Sequence, residues 1–126
     1  MPTPAETTVA RYFSATRNGD RQGWVGCFAK TGSTEDPAGT PPHVGHEALG
    51  KFFDSIVGLV ETIGLHEDHV FTCGSQVAVK WTGRGLSKSG KQYMFEGVNV
   101  FECDEAGKIV KLKAYWDPSK LMAQIG

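Results

Sequence analysis

The chain has 126 residues, a formal net charge of −1, and 40% hydrophobic and 10% aromatic residues. That length fits one domain over residues 1–126, and the apolar content suffices for a packed core or a core plus a pocket. The near-zero charge and scattered basic residues exclude the footprint of a nucleic-acid or anionic-membrane binder, and no run approaches the ~18 apolar residues that span a bilayer. Met1–Thr8 lacks the basic-then-apolar pattern of a signal peptide. Cys27, Cys73 and Cys103 are odd in number and lack metal spacing, so they read as reduced, mostly buried thiols of a cytoplasmic protein. Lys88, Lys91, Lys108, Lys111 and Lys113 form the densest basic set and read as a solvated sheet face and hairpin tip.

Val9, Tyr12, Phe13 and Thr16 recur at helical spacing, which predicts a helix from about Pro4 to Asn18, stopped by Gly19 in the left-handed cap position. Asp20 caps a second short helix through Trp24, Val25 and Phe28. Thr31–Glu35 reads as a strand. His46–Val57 reads as a third helix, with Leu49, Phe52, Phe53, Ile56 and Val60 in one apolar stripe and Gly58 or Gly64 ending it.

After Gly64 the period changes to two. Val70–Cys73 closes one strand, and Val77, Val79 and Trp81 alternate with Ala78, Lys80 and Thr82 in the next. Ser87–Lys91 is a hairpin turn, and Tyr93–Cys103 is a long strand with Phe95, Gly97, Asn99, Phe101 and Cys103 on one face. Asp104–Gly107 turns into a last strand, Ile109–Trp116, with Val110, Leu112, Ala114 and Trp116 inward; Pro118 ends it and a short tail follows. Helices gathered first and an antiparallel sheet afterwards predict an α+β domain: a curved sheet wrapped around three N-terminal helices into an open cone.

The chemistry concentrates where the pattern breaks. Ser33–Pro42 ends the first strand in the pair Glu35-Asp36 and then forbids helix with Pro37, Pro41 and Pro42. Asp36 is thereby held at a strand end between apolar segments, where a carboxylate serves as a base. In a regular strand Glu35 points to the other face and is not assigned to the site. Tyr12 stands on the inner stripe of the first helix and Asn99 on the inward face of the long strand. One buried polar residue is ordinarily a satisfied structural group; three on separate elements facing one cavity suggest a site.

These residues carry a resemblance. Arg11-Tyr12, Asn18-Gly19-Asp20, Glu35-Asp36-Pro37 with Gly39 and Pro42, Gly45, Val98-Asn99, Asp104 through Gly107, and Ala114-Tyr115-Trp116 stand in order over about Thr8–Leu121. In them the chain resembles the ketosteroid (Δ5-3-ketosteroid) isomerases of the nuclear transport factor 2-like superfamily. The resemblance implies a conical α+β barrel, a homodimer through the sheet, a steroid-like ketone as substrate and no cofactor. It implies Asp36 as general base and Tyr12 as donor to the substrate carbonyl. Asn99 falls on the second oxyanion donor, which in the family is an aspartic acid kept neutral by an apolar site. An asparagine amide brings neutral N–H donors without a shifted pKa, though it is the poorer proton donor. The expectation is a working but slower isomerase, or a site retuned to another carbonyl substrate. Phe28 and Phe53 fall where some members carry tyrosines behind the donor, and Trp116 falls on a ring lining the steroid cavity. Phe52, Phe53, Val57, Phe101 and Trp116 are the expected walls.

Other patterns carry less. His66-Glu67-Asp68-His69 resembles a metal cluster, but on a strand the two histidines face opposite sides; only a turn would let them converge. His43 and His46 read as exposed, His46 helping to start the third helix. Glycines at 83, 85, 90 and 97 make no phosphate loop and read as bends and a turn. Two alternatives stay open: a different reaction in the same cone, such as polyketide cyclisation or epoxide hydrolysis, and a non-catalytic module binding a hydrophobic ligand. Epoxide-hydrolysing relatives use paired aspartates with an arginine between them; here only Arg84 is a candidate and the second aspartate is missing.

Overall fold

The computed structural model describes residues 2–125. Three helices, α1 (Pro4–Asn18), α2 (Arg21–Gly26) and α3 (His46–Val57), pack on the concave face of a six-stranded sheet, and a fourth helix, α4 (Pro118–Ile125), closes the chain. The strands are β1 (Phe28–Glu35), β2 (His43–Val44), β3 (Val60–Cys73), β4 (Gln76–Ser87), β5 (Gln92–Cys103) and β6 (Ile109–Tyr115), in the order β2-β1-β6-β5-β4-β3. The meander β3–β6 is antiparallel throughout, whereas β1 joins β6 in parallel. This is the expected α+β curled sheet around N-terminal helices, mixed rather than purely antiparallel.

Local chemistry sets the helix ends. Thr3 and Glu6 form a capping box: the Glu6 N–H donates to Thr3 Oγ1 at 3.1 Å, and the Thr3 N–H donates to Glu6 Oε1 at 2.8 Å. Gly19 stops α1 at φ 63°, a conformation that costs glycine little. Asp20 then caps α2 by accepting the Gly23 N–H at 3.0 Å. The inner stripe of α1 buries Val9, Tyr12 and Phe13, the last two edge-on against the fully buried Phe101. Each such side chain contributes about 1.5–3 kcal/mol through burial.

Several expectations need correction. Phe28 belongs to β1, not α2. Val60, counted into the stripe of α3, is the first residue of β3, because Gly58 ends the helix. Most of β3 shows no readable alternation because it is an edge strand: Leu65 is buried, while His66 and residues 68–73 are exposed. In β6 a register shift between Glu102 and Cys103 turns Ile109 inward and leaves Val110 41% exposed, so Val110 does not share the face of Leu112. The expected tail is α4, capped by Asp117 Oδ1, which accepts from the Ser119 N–H at 2.9 Å. Its Gln124 side chain pairs with both backbone groups of Met94, at 2.9 and 2.8 Å, where β5 runs beyond the end of β6. Among the described residues no helix is long and apolar enough to cross a membrane.

Smaller expectations divide. Cys27 and Cys103 are buried, but Cys73 is exposed. His46 is exposed and opens α3, whereas His43 is half-buried with its ring on Phe52 at 4.4 Å. Lys108 leaves the solvated set to donate to the Gly26 carbonyl at 2.7 Å. His66 and His69 lie on β3, where a register shift between Glu67 and His69 breaks the regular alternation. Among the described residues no three or more His, Cys, Asp or Glu side chains gather as a metal site.

Candidate active site

The cone holds an apolar cavity that opens to solvent, and Tyr12, Asp36 and Asn99 all line it. The loop after Asp36 fixes the carboxylate in place. The Ala38 N–H donates to the Ala114 carbonyl at 2.7 Å, and Thr40 Oγ1 donates to the Pro37 carbonyl at 2.7 Å. These bonds fold the proline loop back onto β6, and the Trp116 indole donates to Asp36 Oδ1 at 2.5 Å. Glu35 faces the other way, beside Lys113 at 3.6 Å.

Burial sets the protonation states. Removal from water raises the Asp36 carboxyl from its ordinary 3.8 to about 6, against the smaller opposing effect of the Trp116 hydrogen bond. At neutral pH it is still mainly ionised, and more basic than a surface carboxylate. The Tyr12 hydroxyl is pushed well above its ordinary range by burial and then by the Asp36 charge, so it stays protonated.

Tyr12 sits in an aromatic cage, with its ring 5.1 Å from both Phe13 and Phe101 and 5.6 Å from Trp24. Its oxygen accepts from Asn99 Nδ2 at 3.4 Å, and the Trp24 indole is a second donor toward it. Phe28 and Phe53 offer no hydroxyl behind Tyr12, and Trp24 takes that supporting place. With its lone pairs engaged, the Tyr12 O–H is free to donate into the cavity.

Asn99 is 1% exposed. Its Oδ1 accepts from the Trp81 indole at 2.8 Å, and its Nδ2 carries one proton to Tyr12, leaving the second for the cavity. Two neutral donors therefore stand with one carboxylate around an apolar hollow. That set can remove a proton beside a carbonyl and hold the resulting oxyanion.

Four of the five expected walls, Phe52, Phe53, Val57 and Trp116, line the cavity. Phe101 does not: it is fully buried behind Tyr12, packed edge-on against that ring and Phe13. Ile56, Leu59, Val60, Ile63, Leu65 and, from α4, Leu121 add an aliphatic lining. Trp81, Trp24 and Leu121 were not anticipated. A signal for Trp81 existed: it shares the inward face with Val77 and Val79. Leu121 had none, since α4 read as a tail.

Residues 9–112 match the model of the SnoaL-like domain family, and the chain belongs to that family. The steroid Δ-isomerase of Nocardioides simplex is a relative, 23% identical over 122 residues that make up 97% of each chain. Among solved structures, SalBIII, an epoxide hydrolase/cyclase-like enzyme with a role in pyran ring formation in the polyether salinomycin, superposes with a TM-score of 0.81 at 25% identity over 92% of each chain. RV0760c from Mycobacterium tuberculosis, in complex with estradiol-17β-hemisuccinate, superposes with a TM-score of 0.83 at 22% identity over 94% of this chain and 98% of that one.

Proposed function

We propose that this protein is an isomerase that moves a proton between carbons adjacent to and conjugated with a carbonyl, on a steroid-like ketone. The observation that carries this reading is the convergence of Asp36, Tyr12 and Asn99 on one apolar cavity. Asp36 takes a proton from the carbon beside the carbonyl. The electron pair moves onto the carbonyl oxygen, and the enolate oxygen receives hydrogen bonds from the Tyr12 hydroxyl and the Asn99 amide. Asp36 then returns the same proton to the far carbon of the dienolate, so the double bond moves into conjugation with no net change in atoms. Because Asn99 is a weaker donor than a carboxylic acid, turnover is expected to be slower than with an acidic donor. Losing such a donor altogether costs about a hundredfold or more.

The likeness to the steroid Δ-isomerase of Nocardioides simplex supports the steroid-like substrate. The experiment is to mix the protein with a Δ5-3-ketosteroid and follow the conjugated enone absorbance, with Asp36→Asn as control.

The likeness to SalBIII favours a second reading, in which protonated Asp36 gives its proton to the oxygen of an epoxide as a hydroxyl of the same substrate attacks the ring carbon; the carbon–oxygen bond of the epoxide breaks, a cyclic ether forms, and the proton lost by the attacking hydroxyl restores the acid. The two readings differ in sign: a base gains rate as pH rises through about 6, and an acid loses it.

We also propose that two copies pair through the outer face of the sheet. Val98 and Tyr115, register partners on β5 and β6, and Met94 are apolar or aromatic side chains exposed there. Light scattering should give twice the monomer mass, falling to the monomer mass in Val98→Asp/Tyr115→Asp.

A further inference from the structure

The functional reading uses the amide of Asn99 but leaves open why that amide points the useful way. An asparagine can present either its carbonyl or its NH₂ to a cavity, and only the NH₂ stabilises an oxyanion. The opposite face of Asn99 meets the Trp81 indole, which is a donor and never an acceptor. Trp81 Nε1 donates to Asn99 Oδ1 at 2.8 Å, and both residues are almost completely buried. A flipped amide would set N–H against N–H there and leave the carbonyl facing Tyr12 and the substrate oxygen.

The strands are built to allow this contact. Trp81 stands opposite Gly97, and Asn99 stands opposite Val79, so the indole reaches diagonally across Gly97. A Cβ at Gly97 would collide with the Trp81 ring and with the Tyr115 carbonyl oxygen. The other side of the indole is held by Phe95, edge-on at 5.1 Å. Phe95 also packs on Trp116 at 5.4 Å, and Trp116 is the residue that holds Asp36. One phenyl ring thus braces both indoles, one behind the donor and one behind the base.

We propose that Trp81 is a positioning residue: its indole N–H fixes the Asn99 amide with its NH₂ toward the cavity and so makes Asn99 an oxyanion donor. This rests on the reading of Asn99 as a donor to a substrate oxygen. Trp81→Phe keeps a ring against Phe95 and removes only the N–H and part of the volume. The amide then loses its orienting partner and offers the cavity a mixture of carbonyl and NH₂.

The test is binding of 4-nitrophenolate, an oxyanion whose absorbance reports its ionised form, to the Asp36→Asn protein, in which no carboxylate repels it. Trp81→Phe in that background should weaken the phenolate about tenfold more than nitrobenzene, which is similar in shape and uncharged, the worth of one hydrogen bond to a charged oxygen. Adding Asn99→Ala should abolish the effect, since no amide is left to orient. Equal weakening of both ligands, an unchanged phenolate, a persisting effect without Asn99, or no phenolate binding to Asp36→Asn at all would each overturn the proposal. Turnover of a ketosteroid is measured separately, so a protein that shows the binding pattern but no isomerisation would refute the isomerase reading while leaving the role of Trp81 standing.

Discussion

Asp36 should cost the fold stability in order to serve as a base. Its carboxyl is raised from 3.8 to about 6 by burial, so the folded protein holds its proton more tightly than the unfolded chain does. Below about pH 4 the group is neutral in both states and costs nothing. As pH rises from about 4 through about 6, ionisation is taken up more readily by the unfolded chain and stability falls; above about 7 the loss is complete. The gap from 3.8 to about 6, at about 1.4 kcal/mol per pH unit, comes to about 3 kcal/mol. Asp36→Asn removes the charge while its side-chain oxygen still accepts from the Trp116 indole. The variant should therefore match the parent protein near pH 4 and exceed it by up to about 3 kcal/mol at pH 7, roughly 10 °C in Tm for a domain of this size. Urea unfolding of both proteins at pH 4, 5, 6, 7 and 8 reads the difference directly. A difference that does not change with pH, or one that runs the other way, would refute the claim that Asp36 is held ionised in an apolar site.

The rate profile should follow the same group: kcat/KM rises through about pH 6 to a plateau, and no alkaline limb begins below the ordinary tyrosine range, because Asn99 has no proton to lose and burial holds that of Tyr12. A limb at lower pH that persists in Asn99→Ala would assign it to another group. Tyr12→Phe should lower kcat by about a hundredfold or more, since it removes a donor to the oxyanion, with little change in KM; a loss confined to KM would make Tyr12 a wall rather than a donor.

The fold was legible where one face of an element is buried and the other wet. The stripes of α1 and α3 and the alternation of β5 follow from such faces, and Asp36 and Asn99 stood out as polar residues breaking an apolar pattern. Where both faces are wet, as along most of β3, the pattern vanishes. Where a register shift adds a residue, as at Val110 between Ile109 and Lys111, alternation assigns Val110 to the wrong face. Helix α4 was hidden because its docking depends on distant partners, Met94 above all. Phe101 shows the limit of face-based reading for a site: it is on the inward face, but Tyr12 lies between it and the cavity. The role of Trp81 was not legible, because a sequence does not display its hydrogen bond to Asn99 across Gly97.

The most direct measurement is conversion of a Δ5-3-ketosteroid to its conjugated enone by the protein and by Asp36→Asn, followed by absorbance at pH 7, with steroid binding recorded in parallel. The account expects enone to accumulate with the parent protein and to stay at the uncatalysed rate with the variant, which still binds the steroid. Enone formation at the parental rate by Asp36→Asn would contradict it.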